Sequence, residues 1–158
     1  LKAFSKLKNY KNYQIWLVGP KDKRYTLQLQ NLAQELGISQ QLRILDYVSY
    51  EKLPLILNQA LALVFPSLWE GFGFPVLEAM ACGTPVITSN ISSLPEIVKD
   101  AALLINPYMC QEITSAMEQI IKDDTLRSQL KIYGLKRSKA FSWQNTGEKT
   151  LAILAKFL

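Results

Sequence analysis

Apolar residues recur at Leu1, Phe4 and Leu7, and then close up into the dense run of YQIWLVGP (13–20). The first pattern predicts the end of an amphipathic helix over about ten residues. The second predicts a buried strand closed by Gly19-Pro20. The alternation then repeats. Leu29, Leu32, Ala33 and Leu36 mark a helix over 25–36 that Gly37 stops, and QLRILDYV (41–48) is a second strand. Ser49 is placed to cap a short helix running to about Asn58, with Pro54 limiting its regularity. LALVFPS (61–67) is a third strand, Pro75 to Ala81 a helix ended by Gly83, and TPVITSN (84–90) a fourth strand. SSLPEIV (92–98) reads as a short helix and ALLI (102–105) as a brief fifth strand. Helical patterns fill the rest, over 109–122, 124–140 and 143–157, with Asp123-Asp124 as a junction and Ser142 as a cap. Short, continuously apolar strands alternating with helices predict a parallel sheet covered on both faces. The expected fold is α/β, a Rossmann-like doubly wound parallel sheet, as one domain over 1–158 with no repeat or linker.

In such sheets ligands sit outside the carboxyl ends of the strands. Three predicted loops lie at those ends: Gly19-Pro20, Tyr47-Val48, and the stretch FPSLWEGFGFPVLEAMACGTPVITSN (65–90). The last places Glu70, Gly71 and Gly73 before a helix that Pro75 opens, with Glu78 inside it. The glycines either supply dihedrals that other residues resist or let a ligand reach main-chain amides. Unpaired N–H groups at a helix start favour an anion such as phosphate, and Pro75 suits the first helical position. Glu78 either complements the helix dipole, worth about 0.3–1 kcal/mol, or binds ligand. Trp69 is expected to pack in the loop, and Met80, Ala81 and Cys82 in the helix core. Two carboxylates repel phosphate but accept hydrogen bonds from sugar hydroxyls. The constellation therefore suits a diphosphate flanked by sugars, as in a nucleotide sugar.

Composition narrows the chemistry. Charged residues are 20% of the chain and the net charge is +5, with lysine and arginine scattered. That is compatible with an anionic ligand or peripheral contact with an acidic membrane surface, and it is not the stripe of a nucleic-acid binder. There is no histidine and there are only two cysteines, Cys82 and Cys110. Histidine-dependent triads and the usual zinc sites are excluded. No signal peptide or membrane span is evident, so the cytoplasm, or the cytoplasmic face of a membrane, is the expected compartment.

A dinucleotide cofactor is the obvious rival. Gly71-x-Gly73-x-x-Val76 lacks the third glycine of that fingerprint, and the next strand ends Thr88-Ser89-Asn90 without a carboxylate. A glycoside hydrolase also uses paired carboxylates, but has no use for a phosphate-ready helix start. A non-catalytic binding module of the same fold remains open.

The run SLWEGFGFPVLEAMACGTPVITSN, with SSLPEIVKDAALLINP after it, closely resembles the C-terminal donor-binding domain of the group 1 (family 4) retaining glycosyltransferases of GT-B fold. The resemblance extends from Tyr13 to about Leu151 and centres on E-x7-E, Glu70 to Glu78. It implies transfer of a hexose from a nucleoside diphosphate sugar to an acceptor hydroxyl with retained configuration, without a metal or other cofactor. GDP-mannose is the first expectation for the donor and UDP-glucose the second. Glu70, the catalytic position, would contact the transferred sugar. Amides around Gly71, Phe72, Gly73 and Phe74 would line the sugar and phosphate pocket. Those of Val76 and Leu77 would face the diphosphate, and Glu78 would accept from the ribose. Tyr47 and Val48 would meet the base, with Gly19 beside them. Both glutamates of the motif are intact, which speaks against a module that has lost its chemistry. A sugar-nucleotide epimerase would use a histidine that is absent here. The family's Arg and Lys after the first strand, that strand itself, and an N-terminal acceptor domain would precede Leu1. The 158 residues alone are therefore expected to be inactive, with 143–158 a helix crossing back to that other domain and its apolar face (Leu151, Ile153, Leu154, Phe157) bared.

Overall fold

The computed structural model describes residues 1–157. Strand β1 (Ile15–Val18) pairs with β2 (Leu42–Leu45), and β4 (Val86–Ser89) runs between β3 (Leu63–Phe65) and β5 (Leu103–Ile105). All three pairings are parallel. Around them lie α1 (Lys2–Ser5), α2 (Lys23–Glu35), α3 (Leu53–Gln59), α4 (Phe74–Ala81), α5 (Leu94–Val98), α6 (Cys110–Lys122), α7 (Asp124–Ser138) and α8 (Trp143–Leu154). The expected parallel α/β architecture is present, with its ladder divided in two: β2-β1 and β3-β4-β5. One core still spans both parts. Ile15, Leu17 and Ile44 from the first ladder pack with Val64, Ile87 and Ile105 from the second.

Several boundaries differ from the sequence expectation, each for a local reason. The first helix ends at Ser5, and a 3-10 turn follows at Tyr10–Asn12. Leu1, Phe4 and Leu7 are spaced by three, the period of that tighter turn, and Leu7 N–H donates to Phe4 O at 3.1 Å. Helix α2 starts earlier than expected because the Asp22 carboxylate accepts from Arg24 N. Ser49 is not a side-chain cap. Its carbonyl accepts from Lys52 and Leu53 in a turn, and α3 begins only at Leu53. Pro54 thus falls in the first turn of α3, where a missing N–H costs nothing. Ser142 caps α8 with its side chain, as expected, and at the expected junction of α6 and α7 the Asp123 side chain caps α7.

Strand β4 is buried along its whole length although it ends in Thr88 and Ser89. Buried hydroxyls need acceptors. Thr88 donates to Phe65 O at 2.9 Å and Ser89 to Ser67 O at 2.6 Å, which extends the β3–β4 contact past the last ladder bond. Helix α7 covers α4 closely because Gly134 has no side chain; a Cβ there would lie 3.3 Å from Met80 Cγ. Arg137 then closes the end of α5. Its Nε and Nη2 donate to Ile97 O and Glu96 O, both at 2.7 Å, while the guanidinium lies 4.6 Å from the Phe141 ring centre. Two last-turn carbonyls of a short helix gain a cationic donor in this way.

Arg137→Ala should lower unfolding stability by about 1–3 kcal/mol in chemical denaturation, as one partly buried and one exposed carbonyl lose their cationic donor. Arg137→Lys should recover only part of that, because an ammonium cannot reproduce the planar fork. Equal midpoints for all three proteins would show that the fork contributes nothing.

Candidate functional site

At the end of β3 the chain turns through Pro66–Gly73 before entering α4. Gly73 makes the turn with φ 109°, and a Cβ on it would sit 2.8 Å from Leu94 Cδ2 in a fully buried position. Both facts require glycine there. Gly71 differs. It has no positive φ, and nothing lies within 4 Å of where its Cβ would be. The protein's own packing makes no demand for glycine at 71.

Helix α4 begins at Phe74, so Pro75 is its second residue rather than its first. Gly73 O accepts from Val76 N at 3.1 Å and from Leu77 N at 3.2 Å. The amides of Val76 and Leu77, expected to face a diphosphate, are thus engaged within the helix in this structure. Among the described residues, the N–H groups of Gly71, Phe72, Gly73 and Phe74 donate to no protein acceptor. The free donors therefore lie in the loop and at its junction with α4. The Phe72 side chain turns the other way, 4.9 Å from the Phe74 ring and 5.8 Å from that of Phe141.

Glu70 is half-buried, and its Oε1 accepts from Ser67 Oγ at 2.9 Å. Its main chain is held from the β4–α5 turn. Glu70 N donates to Ser92 Oγ at 3.0 Å, and Ser92 Oγ lies 2.7 Å from Glu70 O. Ser93 Oγ lies 3.0 Å from Glu70 O and 2.9 Å from Phe72 O. Sequence reasoning missed both serines, reading them only as the start of a short helix. Glu78 is the fifth residue of α4 and half-buried, and burial pushes its carboxyl pKa above the ordinary carboxylate range. It lies beyond the first turn, so the dipole does not account for it.

The other two loops meet each other. The Asp46 carboxylate accepts from Tyr47 N at 2.7 Å and from Lys21 N at 3.3 Å, linking the end of β2 to the segment after Gly19-Pro20. Those amides, Tyr47 first, hold the Asp46 pKa below its usual value. Asp46 was also missed, because it was read as part of the second strand, which ends at Leu45. Tyr47 is 74% exposed, while Val48 and Gly19 are half-buried. Among the described residues no hydrogen bond joins this pair of loops to the Glu70 loop. Two expectations fail nearby. Trp69 is 80% exposed rather than packed in the loop, and Ala81 is exposed, on the outer side of α4. Met80 is fully buried, as expected, and Cys82 partly so. No set of three or more Asp, Glu, Cys or His side chains among the described residues is grouped to hold a metal. Two open depressions, one beside Gly37 and one along α2, contain neither glutamate.

Gly73→Ala should destabilise the fold by about 1–2 kcal/mol from the left-handed backbone alone. Gly71→Ala should stay within about 0.5 kcal/mol of wild type. Denaturant midpoints decide between them, and equal losses would contradict the distinction. Glu78 carries a sign as well. A carboxyl with a raised folded-state pKa favours folding while protonated, and that advantage disappears as pH rises through the folded value. Wild type should therefore lose stability relative to Glu78→Gln as pH climbs from below the carboxylate range to neutrality. A pH-independent difference between their melting temperatures would refute this.

A sequence model described as glycosyl transferases group 1 matches residues 1–137. The O-antigen chain mannosyltransferase B of Escherichia coli is 44% identical over 110 residues, which make up 70% of this chain and 29% of that protein. The chain thus spans under a third of the length of that curated relative. Among solved structures, the C-terminal domain of a glycosyl transferase group 1 family protein (LpcC) from Francisella tularensis superposes with a TM-score of 0.76 at 25% identity. The match covers 88% of this chain and 74% of that one. Anabaena HepE, solved in complex with UDP-glucose, superposes with a TM-score of 0.86 over 98% of this chain and 43% of its own. At 20% identity that likeness is one of fold. With 137 of its 158 residues under the family's sequence model, this chain belongs to the group 1 glycosyl transferases.

Proposed function

We propose that this chain is the donor-binding domain of a retaining glycosyltransferase that moves a hexose from a nucleoside diphosphate sugar to an acceptor hydroxyl. The observation that carries the reading is the Glu70–Phe74 segment. It combines a hydrogen-bonded carboxylate with four main-chain amides that have no protein acceptor, at the carboxyl end of a parallel strand. A carboxylate accepts from sugar hydroxyls, and a run of amides donates to phosphate oxygens. In the reaction the bond from the anomeric carbon to the diphosphate oxygen breaks. A new bond forms to the acceptor oxygen, whose proton passes to the departing diphosphate. Negative charge grows on the leaving diphosphate, and donors fixed in advance stabilise it. Glu78 would accept from the ribose, and Tyr47 and Val48 would meet the base. No metal is assigned a role.

Mannose is the preferred sugar because a relative at 44% identity is named a mannosyltransferase, which makes GDP-mannose the first donor and UDP-glucose the second. HepE, which shares the fold, holds UDP-glucose. The work of such an enzyme would be the building of a polysaccharide, glycolipid or other glycoconjugate at the cytoplasmic face of a membrane. No helix among the described residues is long and apolar enough to cross one. The exposed Leu151, Ile153, Leu154 and Phe157 of α8 and the residues after it would meet an acceptor-binding domain elsewhere in the full polypeptide.

An amide-resolved NMR titration with GDP, GDP-mannose, UDP-glucose and NAD tests the proposal, first on these residues and then on the full-length protein. Shifts concentrated at Gly19, Tyr47, Val48 and Glu70–Glu78, with one base preferred, are expected. A response to NAD alone, or silence from the full-length protein toward every nucleotide sugar, would overturn it.

A further inference from the structure

The Glu70 loop does not hold itself. Ser92 lies 22 residues further along the chain and has φ 61°, a left-handed conformation that side chains other than glycine rarely take. In that conformation one hydroxyl serves both polar groups of Glu70's main chain, accepting from its N–H and donating to its C=O. Ser92 thereby spends its single hydroxyl proton on Glu70 O. Ser93 then donates to the nearer of its two acceptors, Phe72 O at 2.9 Å. Ser67 Oγ donates to the carboxylate, an ionised acceptor and so the stronger partner than Trp69 O. Glu70 is fixed at its N–H, its C=O and its carboxylate, and Phe72 at its C=O. Between those points Gly71 is left with its amide free and no side chain over it.

Backbone strain in a non-glycine residue persists only where the surroundings over-determine it. Here the hydrogen bonds that sustain it all end on the segment carrying the site carboxylate. We infer that Ser92 and Ser93 are positioning residues for glycosyl transfer: they clamp the main chain at Glu70 and Phe72 so that the Glu70 carboxylate and the Gly71 amide meet the sugar and phosphate in fixed register. The inference rests on the donor-site reading above. A small misplacement of such groups costs rate more than affinity, because positioning counts most in the transition state.

The test has two arms. Without substrate, ¹⁵N relaxation on this chain compares wild type with Ser92→Gly, which keeps the left-handed backbone and deletes the hydroxyl. Order parameters at Glu70–Phe72 should fall from the rigid range of about 0.85 toward about 0.6, with the melting temperature little changed. Unchanged order parameters would overturn the clamp, whatever the activity. With substrate, the full-length enzyme carrying Ser92→Gly should lose about tenfold or more in kcat while donor KM moves about twofold or less. Ser93→Ala should act in the same direction, and Ser93→Thr, which restores a hydroxyl, should recover the rate. In a Glu70→Gln background the Ser92→Gly loss should largely vanish, since residues acting through one group are non-additive. A full additional loss in that background, or a kcat equal to wild type, would overturn the inference. If wild-type enzyme transfers no sugar from any nucleotide donor, the functional reading fails separately, and the relaxation arm still decides the clamp.

Discussion

The turn at Gly73 is the constraint on which the rest of the site depends. A left-handed residue is needed to swing the chain from the end of β3 into α4, and the side of that residue is occupied by Leu94. The same residue's carbonyl collects the first two helical hydrogen bonds, so α4 is wound from its first turn. Because those bonds consume the amides of Val76 and Leu77, the donors left over fall in the preceding loop. A single left-handed turn thus bears both on where the helix starts and on which N–H groups are left without a protein acceptor.

What fixes the main chain and carboxylate of that loop is a set of hydroxyls, beside the packing of Phe72 on the core. Ser89 ties the base of the loop to β4, Ser67 holds the carboxylate, and Ser92 and Ser93 hold the main chain. Trp69, the largest apolar residue of the loop, is 80% exposed. Hydrogen bonds suit the task because they fix direction as well as distance. On the other side, the Phe72–Phe141–Arg137 stack and the bonds of Arg137 to α5 link the loop to the helices behind it. Glu78 shows the opposite balance: its carboxyl is held where burial disfavours its charge.

Much of this was legible in the sequence, for reasons that can be named. Periodicity located the strands and the longer helices, and Gly37, Gly83, Asp123 and Ser142 marked helix ends because each acts on its own neighbours. Ser49 misled for the same reason. A serine before an apolar run has the form of a cap, but here its carbonyl closes a turn and the helix starts later. The roles of Ser92 and Ser93, and the bond from Asp46 to the Lys21 amide, were invisible because the partners lie more than 20 residues away along the chain. Nor could spacing tell Gly71 from Gly73. Only the folded chain, with Gly73 at a positive φ and Leu94 against it, separates a glycine the fold requires from one it does not.

The divided ladder has a consequence of its own. Among the described strands only β4 has a neighbour on each side; the others are bonded along one edge. A main chain bonded on one side can open toward water without breaking a second ladder, and local opening is drawn from such regions. Resistance to opening should therefore be graded across the molecule, highest at β4 and lower in the β1–β2 pair. The two groups of loops consequently stand on footings of unequal stiffness. Glu70 and its serines are mounted on the three-stranded part, and Tyr47 with its neighbours on the two-stranded part. Thermal motion would thus blur the loop that carries Tyr47 before it disturbed the loop that carries the Glu70 carboxylate.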